Sequence, residues 1–313
     1  MRLSSASYGW ILILFLGLII SGCSASSQRP EGKPVNRAAL RALGKVLFFE
    51  PALSINGKRS CASCHRPDKA FTDHRITSRA LRFTANVGRN APTLLNAAGQ
   101  RRYFHDGRAT TMSEVIRQVI SSPVEMGSSY ALITARLNQS SLYCHWFDQA
   151  LHAPIGEATI NAALTAYVES LRSRDAPYDV ARRRGRSLPA AAQAGQQLFS
   201  LARLGCAGCH AGSSFRDGQR HEVRPGEWVK TPTLRNVAVT PPYGADGQAA
   251  TLAQAIRSPF HQLQLTHPLQ PQQEAQLIAF LQALTDTTST EHRSPLTLPD
   301  LPDLPDRRVG GLY

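Results

Sequence analysis

The sequence predicts a mainly α protein built on one plan used twice, and three observations predict it. Apolar residues recur at helical spacing: Ile160, Leu164, Tyr167, Val168 and Leu171 share one face, and Leu277, Phe280, Leu281 and Leu284 within 272–286 share another. Period-2 runs bounded by hairpin turns are absent. Short segments also return in the same order. Gly44-Lys45-Val46-Leu47-Phe48 is matched by Gly195-Gln196-Gln197-Leu198-Phe199, and Ala91-Pro92-Thr93-Leu94-Leu95-Asn96 by Thr231-Pro232-Thr233-Leu234-Arg235-Asn236. Asp106-Gly107 and Asp246-Gly247 follow, each ahead of a helix-like segment starting at Thr111 or Thr251.

Residues 1–23 read as a secretion signal. Arg2 gives the positive start, Trp10 to Ile20 the apolar stretch, and Ile20-Ser21-Gly22-Cys23 a lipobox-like end. The apolar run is shorter than the ~20 residues of a spanning helix. Lipidation is expected on Cys23, with Ser24 after it suggesting the outer membrane. Residues 24–34, rich in Ser, Gln, Gly and Pro, read as a flexible tether. The duplicated plan then gives a first domain over 35–173, an Arg-rich link over 174–186 and a second domain over 187–293, with Ser187 before Leu188-Pro189 read as a helix cap. A Pro-rich tail, 294–313, favours extended structure over packing.

Six cysteines would suggest a disulfide framework, but five have other assignments. Cys61-Ala62-Ser63-Cys64-His65 and Cys206-Ala207-Gly208-Cys209-His210 are two complete attachment motifs for haem c. Two thiols three residues apart on one helical turn can each add to a haem vinyl group, and the adjacent His supplies an axial nitrogen. His65 and His210 are therefore the expected proximal ligands of two covalently bound haems, in two cytochrome-c-like domains related by internal duplication. Zinc fits less well, because a full domain separates the motifs. Cys23 belongs to the lipobox. Cys144 is left in an apolar helical stretch as a buried thiol, and no internal disulfide is expected. The net charge of +13 does not point to nucleic acid, since the basic residues form no block and haem propionates need cations.

Gly44 to His65, Gly88 to Thr93, Phe104-His105-Asp106-Gly107-Arg108-Ala109, Pro123-Val124-Glu125-Met126 and Lys230 to Asn236 resemble the bacterial di-haem cytochrome c peroxidase and MauG family, over residues 38–286. The resemblance implies that the N-terminal haem is the peroxide site and that Glu125 lies over its open face. A carboxylate there can carry a proton from one peroxide oxygen to the other as the O–O bond breaks. It implies electrons from a small periplasmic cytochrome c or cuproprotein, and a calcium ion between domains held by Asn90, Thr240 and Pro242. It leaves a homodimer open, and assigns Arg89 and Arg235 to propionates or to structure.

Departures from the family pattern narrow the reading. Arg82 stands where members that need reductive activation have a capping His, and no His occurs from 76 to 96; the first haem is expected open at rest, with His74 a loop residue. Pro259 replaces the Met or Tyr expected opposite the second haem, leaving His261, His267, Tyr243 or no protein ligand, of which His261 is preferred. His105 replaces the Trp commonly found between the haems, and Ala245 the matching His of the second half. The expected activity is a cytochrome-c-peroxidase-type oxidoreductase. A MauG-like oxidase acting on a partner protein and a non-enzymatic electron-transfer lipoprotein are the alternatives.

Overall fold

The computed structural model describes residues 34–286 and 293–312. The expected signal, Cys23 and nearly all of the tether lie outside the described residues. Among those described, no helix is long and apolar enough to cross a membrane.

The structure is mainly helical, and its hydrophobic side chains form two large clusters. In the first, α1 (Arg37–Phe48) crosses α5 (Glu157–Ser170), with α2 (Met112–Ser121), α3 (Tyr130–Leu137) and α4 (Ser141–Leu151) around them. In α1, Asn36 accepts from Ala39 N at 3.1 Å, satisfying a donor that the first turn leaves free. In the second, α7 (Ala190–Ser200) crosses α11 (Pro271–Ala283).

The repeated glycine marks both crossings. A Cβ on Gly44 would sit 1.9 Å from the Ala163 carbonyl oxygen, and one on Gly195 would sit 1.9 Å from that of Gln276. Both backbones need this close approach to seat the adjoining Leu and Phe. Gly44→Ala is expected to cost about 1–3 kcal/mol through overpacking and to lower the thermal midpoint by several degrees; an unchanged midpoint would show that the crossing can spread freely.

A second device also occurs twice. The Thr93 and Thr233 hydroxyls donate to Ala70 O and Ser214 O, both at 2.6 Å. Three residues on, Asn96 and Asn236 take left-handed backbone conformations, and their N–H groups donate to Leu171 O (2.7 Å) and Leu284 O (3.1 Å). Each loop is thereby tied to the end of its domain's long helix.

Four local expectations are corrected. The first helix of the second half begins at Ala190 with Pro189 as N-cap, so Ser187 is not the cap. The stretch 174–186 contains α6 (Pro177–Arg184), whose Tyr178 and Ala181 join the second core. A hairpin of β1 (Arg220–Arg224) and β2 (Glu227–Lys230) turns at Pro225-Gly226; its alternation was hidden because both faces carry polar residues. Cys144 is half-buried on α4 and not fully buried as expected, its Sγ lying 3.9 Å from Asn138 O.

The tail packs closely. Leu301 and Leu304 join the first core, and Gly310 and Gly311 lie against the segment 58–63. Ser60 Oγ donates to Gly310 O at 2.7 Å and Ser63 Oγ at 3.1 Å. Arg307 Nε donates to Glu50 Oε1 at 2.7 Å, the two side chains 4% and 0% exposed, and Tyr143 OH donates to the other Glu50 oxygen. Separate Leu and Arg side chains find separate slots, which is why no periodicity announced the packing.

Candidate functional site

Each motif begins a single tight turn. His65 N donates to Cys61 O at 2.9 Å and His210 N to Cys206 O at 2.9 Å, the latter closing α8 (Cys206–Cys209). All four motif cysteines are free thiols. His65 Nδ1 lies 3.0 Å from Phe71 O, and His210 Nδ1 lies 3.2 Å from Phe215 O. Phe71 and Phe215 both have positive φ, which aims their carbonyls at the imidazoles. A carbonyl accepting from Nδ1–H leaves Nε2 as the unprotonated ligand atom. Burial pushes both imidazoles down, His210 to about 4, so each is neutral and ready to ligate at neutral pH.

Glu125 follows α2 in a turn closed by Glu125 N to Ser122 O at 3.1 Å and Gly127 N to Ser122 O at 2.8 Å. The carbonyls on both sides of Glu125 are anchored. Val124 O accepts from Leu81 N at 2.7 Å and Met126 O from Ile55 N at 2.9 Å, with Met126 buried. The carboxylate is half-buried, and its charge acts on Cys64 of the first motif. Burial raises its pKa, opposed by a hydrogen bond from Ser122 and by the charges of Arg108 and Arg59.

Arg59 is a site residue that the sequence reading missed. It is 3% exposed, donates from Nη2 to Cys64 Sγ at 3.0 Å and to Arg79 O at 2.7 Å, and lies over Phe83 at 4.9 Å. An isolated Arg before a Cys carries no pattern that would single it out. Arg108 stacks on Phe104 with 3.5 Å to the ring centre.

At the second motif, His261 is the third residue of α10 (Pro259–Gln264). Its Nδ1 lies 2.8 Å from Ala255 O and 2.9 Å from Ser258 Oγ, and burial pushes its imidazole down. Tyr243 instead pairs its backbone with Ala249, as Tyr103 does with Ala109. His267 is exposed, with its Nδ1 against the neighbouring Thr266 carbonyl. Cys209 Sγ, Asp217 and His221 lie within 4.8 Å of one another, but Asp217 and His221 already pair at 2.7 Å and the thiol belongs to the motif.

Between the halves, Asn90 Nδ2 donates to Pro242 O at 3.0 Å and Gly244 O at 3.4 Å, while its buried Oδ1 has no partner among the described residues. Thr240 is not brought to Asn90 by a hydrogen bond; its hydroxyl turns to Val237 O at 3.2 Å. His105 Nε2 lies 3.0 Å from Asn90 O, and His74 Nε2 lies 3.1 Å from Val239 O across the seam. Arg235 is matched by Asp179 in a two-pronged pair at 2.7 and 2.9 Å, and Arg89 by Glu227 at 2.9 Å.

The sequence of residues 38–187 matches the family model for di-haem cytochrome c peroxidase, and 192–285 that for cytochrome c. Methylamine utilization protein MauG of Methylorubrum extorquens is 31% identical, over 90% of this chain and 88% of that protein. The chain belongs to the di-haem cytochrome c peroxidase and MauG family. Cytochrome c551 peroxidase of Nitrosomonas europaea is 29% identical over 88% of this chain and 90% of that one. Among solved structures, a MauG-like protein associated with microbial copper homeostasis superposes with TM-score 0.74 at 25% identity, covering 91% of this chain and 98% of that one. The diheme peroxidase BthA of Burkholderia thailandensis shares the fold, with TM-score 0.68 at 22% identity over 83% of this chain and 90% of that one.

Members of this di-haem family carry covalently bound haem c, and both motifs fit that group. Each offers two free thiols on one turn beside an imidazole whose Nδ1 is held and whose Nε2 is available.

Proposed function

We propose that the chain is a di-haem c-type peroxidase that reduces hydrogen peroxide to water with electrons from a small periplasmic cytochrome c or cuproprotein. The observation that carries this reading is Glu125, held between two anchored carbonyls beside the first motif with its charge felt at Cys64. When bound, haem supplies the iron that exchanges electrons. The chain's own groups move the proton: an ionised Glu125 accepts it from one peroxide oxygen and returns it to the leaving oxygen. Overall, one peroxide, two electrons and two protons give two waters. The loop 76–96 contains no His, and the His74 contact with Val239 O keeps that ring occupied, which supports a first haem open without prior reduction.

The test is the all-ferric holoprotein mixed with hydrogen peroxide and reduced cytochrome c. Two cytochromes oxidised per peroxide, with no pre-reduction, supports this reading. The similarity to proteins named MauG favours a second one, oxidation of a partner protein; peroxide consumption without cytochrome oxidation would support it. No reaction with peroxide would leave an electron carrier.

At the second haem we assign His261 as the distal ligand, because its Nδ1 is held by Ala255 O as those of His65 and His210 are held. His261→Ala is expected to convert a low-spin C-terminal haem to high spin in electron paramagnetic resonance; an unchanged spectrum would remove the assignment. Calcium is proposed at Asn90, whose buried Oδ1 has no partner among the described residues while its Nδ2 reaches the Pro242 and Gly244 carbonyls. Lipidation at Cys23 and an outer-membrane, periplasm-facing location rest on the signal-like residues 1–23. The paired glycine crossings and Thr–Asn ties support origin of the two halves by duplication.

A further inference from the structure

Four cations gather where the two halves meet. Arg101 and Arg102 come from the loop before Tyr103, Arg216 from the loop after His210, and Lys230 from the end of β2; all four line one recess. Arg216 donates to two backbone carbonyls of the first half, Asn96 O at 3.0 Å and Ala98 O at 3.2 Å. Lys230 N donates to His105 O at 2.8 Å, which fixes the side chain's starting point in the seam.

Among the described residues none of these four cations is in an ion pair. Arg235 and Arg307, the buried cations that close each domain, are by contrast matched by Asp179 and Glu50. Lys230 is closely enclosed, and burial first, then the charge of Arg216, holds its ammonium down to about 8. Burial also lowers Arg216. Lys230 and Arg216 are half-buried beside each other without a counter-ion among the described residues, which is costly, so the recess suits an anion. Its position narrows the class: Arg216 directly follows Phe215, whose carbonyl orients His210.

We propose that Lys230 and Arg216, backed by Arg101 and Arg102, receive the propionate carboxylates of the haem attached at Cys206 and Cys209. This rests on haem attachment in the family and not on the peroxidase reaction. The domain seam then helps to set that haem's electron affinity, because cations beside a propionate favour the reduced, less positive iron.

The test is a spectroelectrochemical titration of the holoprotein with resonance Raman spectra of the propionate modes. Lys230→Met and Arg216→Gln should each raise the ferric-to-ferrous ratio of the C-terminal haem about tenfold at fixed potential, equivalent to about 59 mV for one electron, and should shift its propionate bands. Lys230→Arg should keep both near wild type, separating lost charge from lost fold. Unchanged potential and bands in Lys230→Met would overturn the proposal. So would unchanged bands with a wild-type potential that responds saturably to inorganic phosphate, since the recess would then hold a free anion.

Discussion

Glu125→Gln is expected to lower peroxide-dependent oxidation of cytochrome c by about 10²–10⁴-fold, the usual weight of a positioned proton-transfer group. The amide preserves shape and keeps the turn, whose anchors are backbone groups of Val124, Met126 and Ser122. Haem content and spectra should therefore match wild type while turnover collapses. Activity within tenfold of wild type would remove Glu125 from the chemistry. The pH profile gives a second reading. Burial holds Glu125 protonated to higher pH than an ordinary carboxyl, and Arg59 is one of the charges opposing that shift. A base works only when ionised, so activity should fall as pH drops through this raised value. Arg59→Gln should move that acid limb to higher pH. Stability runs the other way: a carboxyl whose folded pKa is raised loses stability for the fold as pH rises through the unfolded and then the folded value. Glu125→Gln should thus be slightly more stable than wild type at neutral pH, even as it loses activity.

Arg307→Met is expected to cost about 3–5 kcal/mol, because it strands a fully buried carboxylate. Glu50 is 0% exposed, and its oxygens are matched by Arg307, Tyr143 and Ala52 N. With the guanidinium gone, only Tyr143 and one backbone N–H remain. The thermal midpoint should fall by roughly 10 °C, and joint replacement of Glu50 by Gln should recover part of the loss, since the stranded charge is then absent. A loss below about 1 kcal/mol in Arg307→Met would mean that water reaches Glu50 and that the tail seals nothing.

What the sequence disclosed was whatever follows from repetition or from chemistry that demands fixed spacing. The α5 and α11 stripes are periodic because each faces a crossing helix, and the attachment motifs are legible because a haem's two vinyl groups dictate the thiol separation. Glu125 was legible only as part of a longer motif, since one carboxylate carries no signal of its own. Residues whose role depends on a distant partner stayed hidden. Arg235 looks like any basic residue until Asp179, 56 positions earlier, is seen against it. Arg59 and Lys230 are defined by what surrounds them, and the polar β1–β2 hairpin had no apolar face to betray it. Residues 174–186 read as a link because three consecutive arginines mask the two residues, Tyr178 and Ala181, that pack.

The tail's grip on the first motif gives the molecule an order of assembly. Ser60 and Ser63 flank or occupy the first attachment turn, and both bind the carbonyl of Gly310, about 250 positions later in the chain. A polypeptide made from its amino end therefore presents Cys61 and Cys64 well before the residues that clamp them. Until the final residues arrive, Ser60 and Ser63 lack that acceptor, and the turn carrying the two thiols is not clamped by the tail. The second motif, which has no such clasp among the described residues, has no comparable deadline.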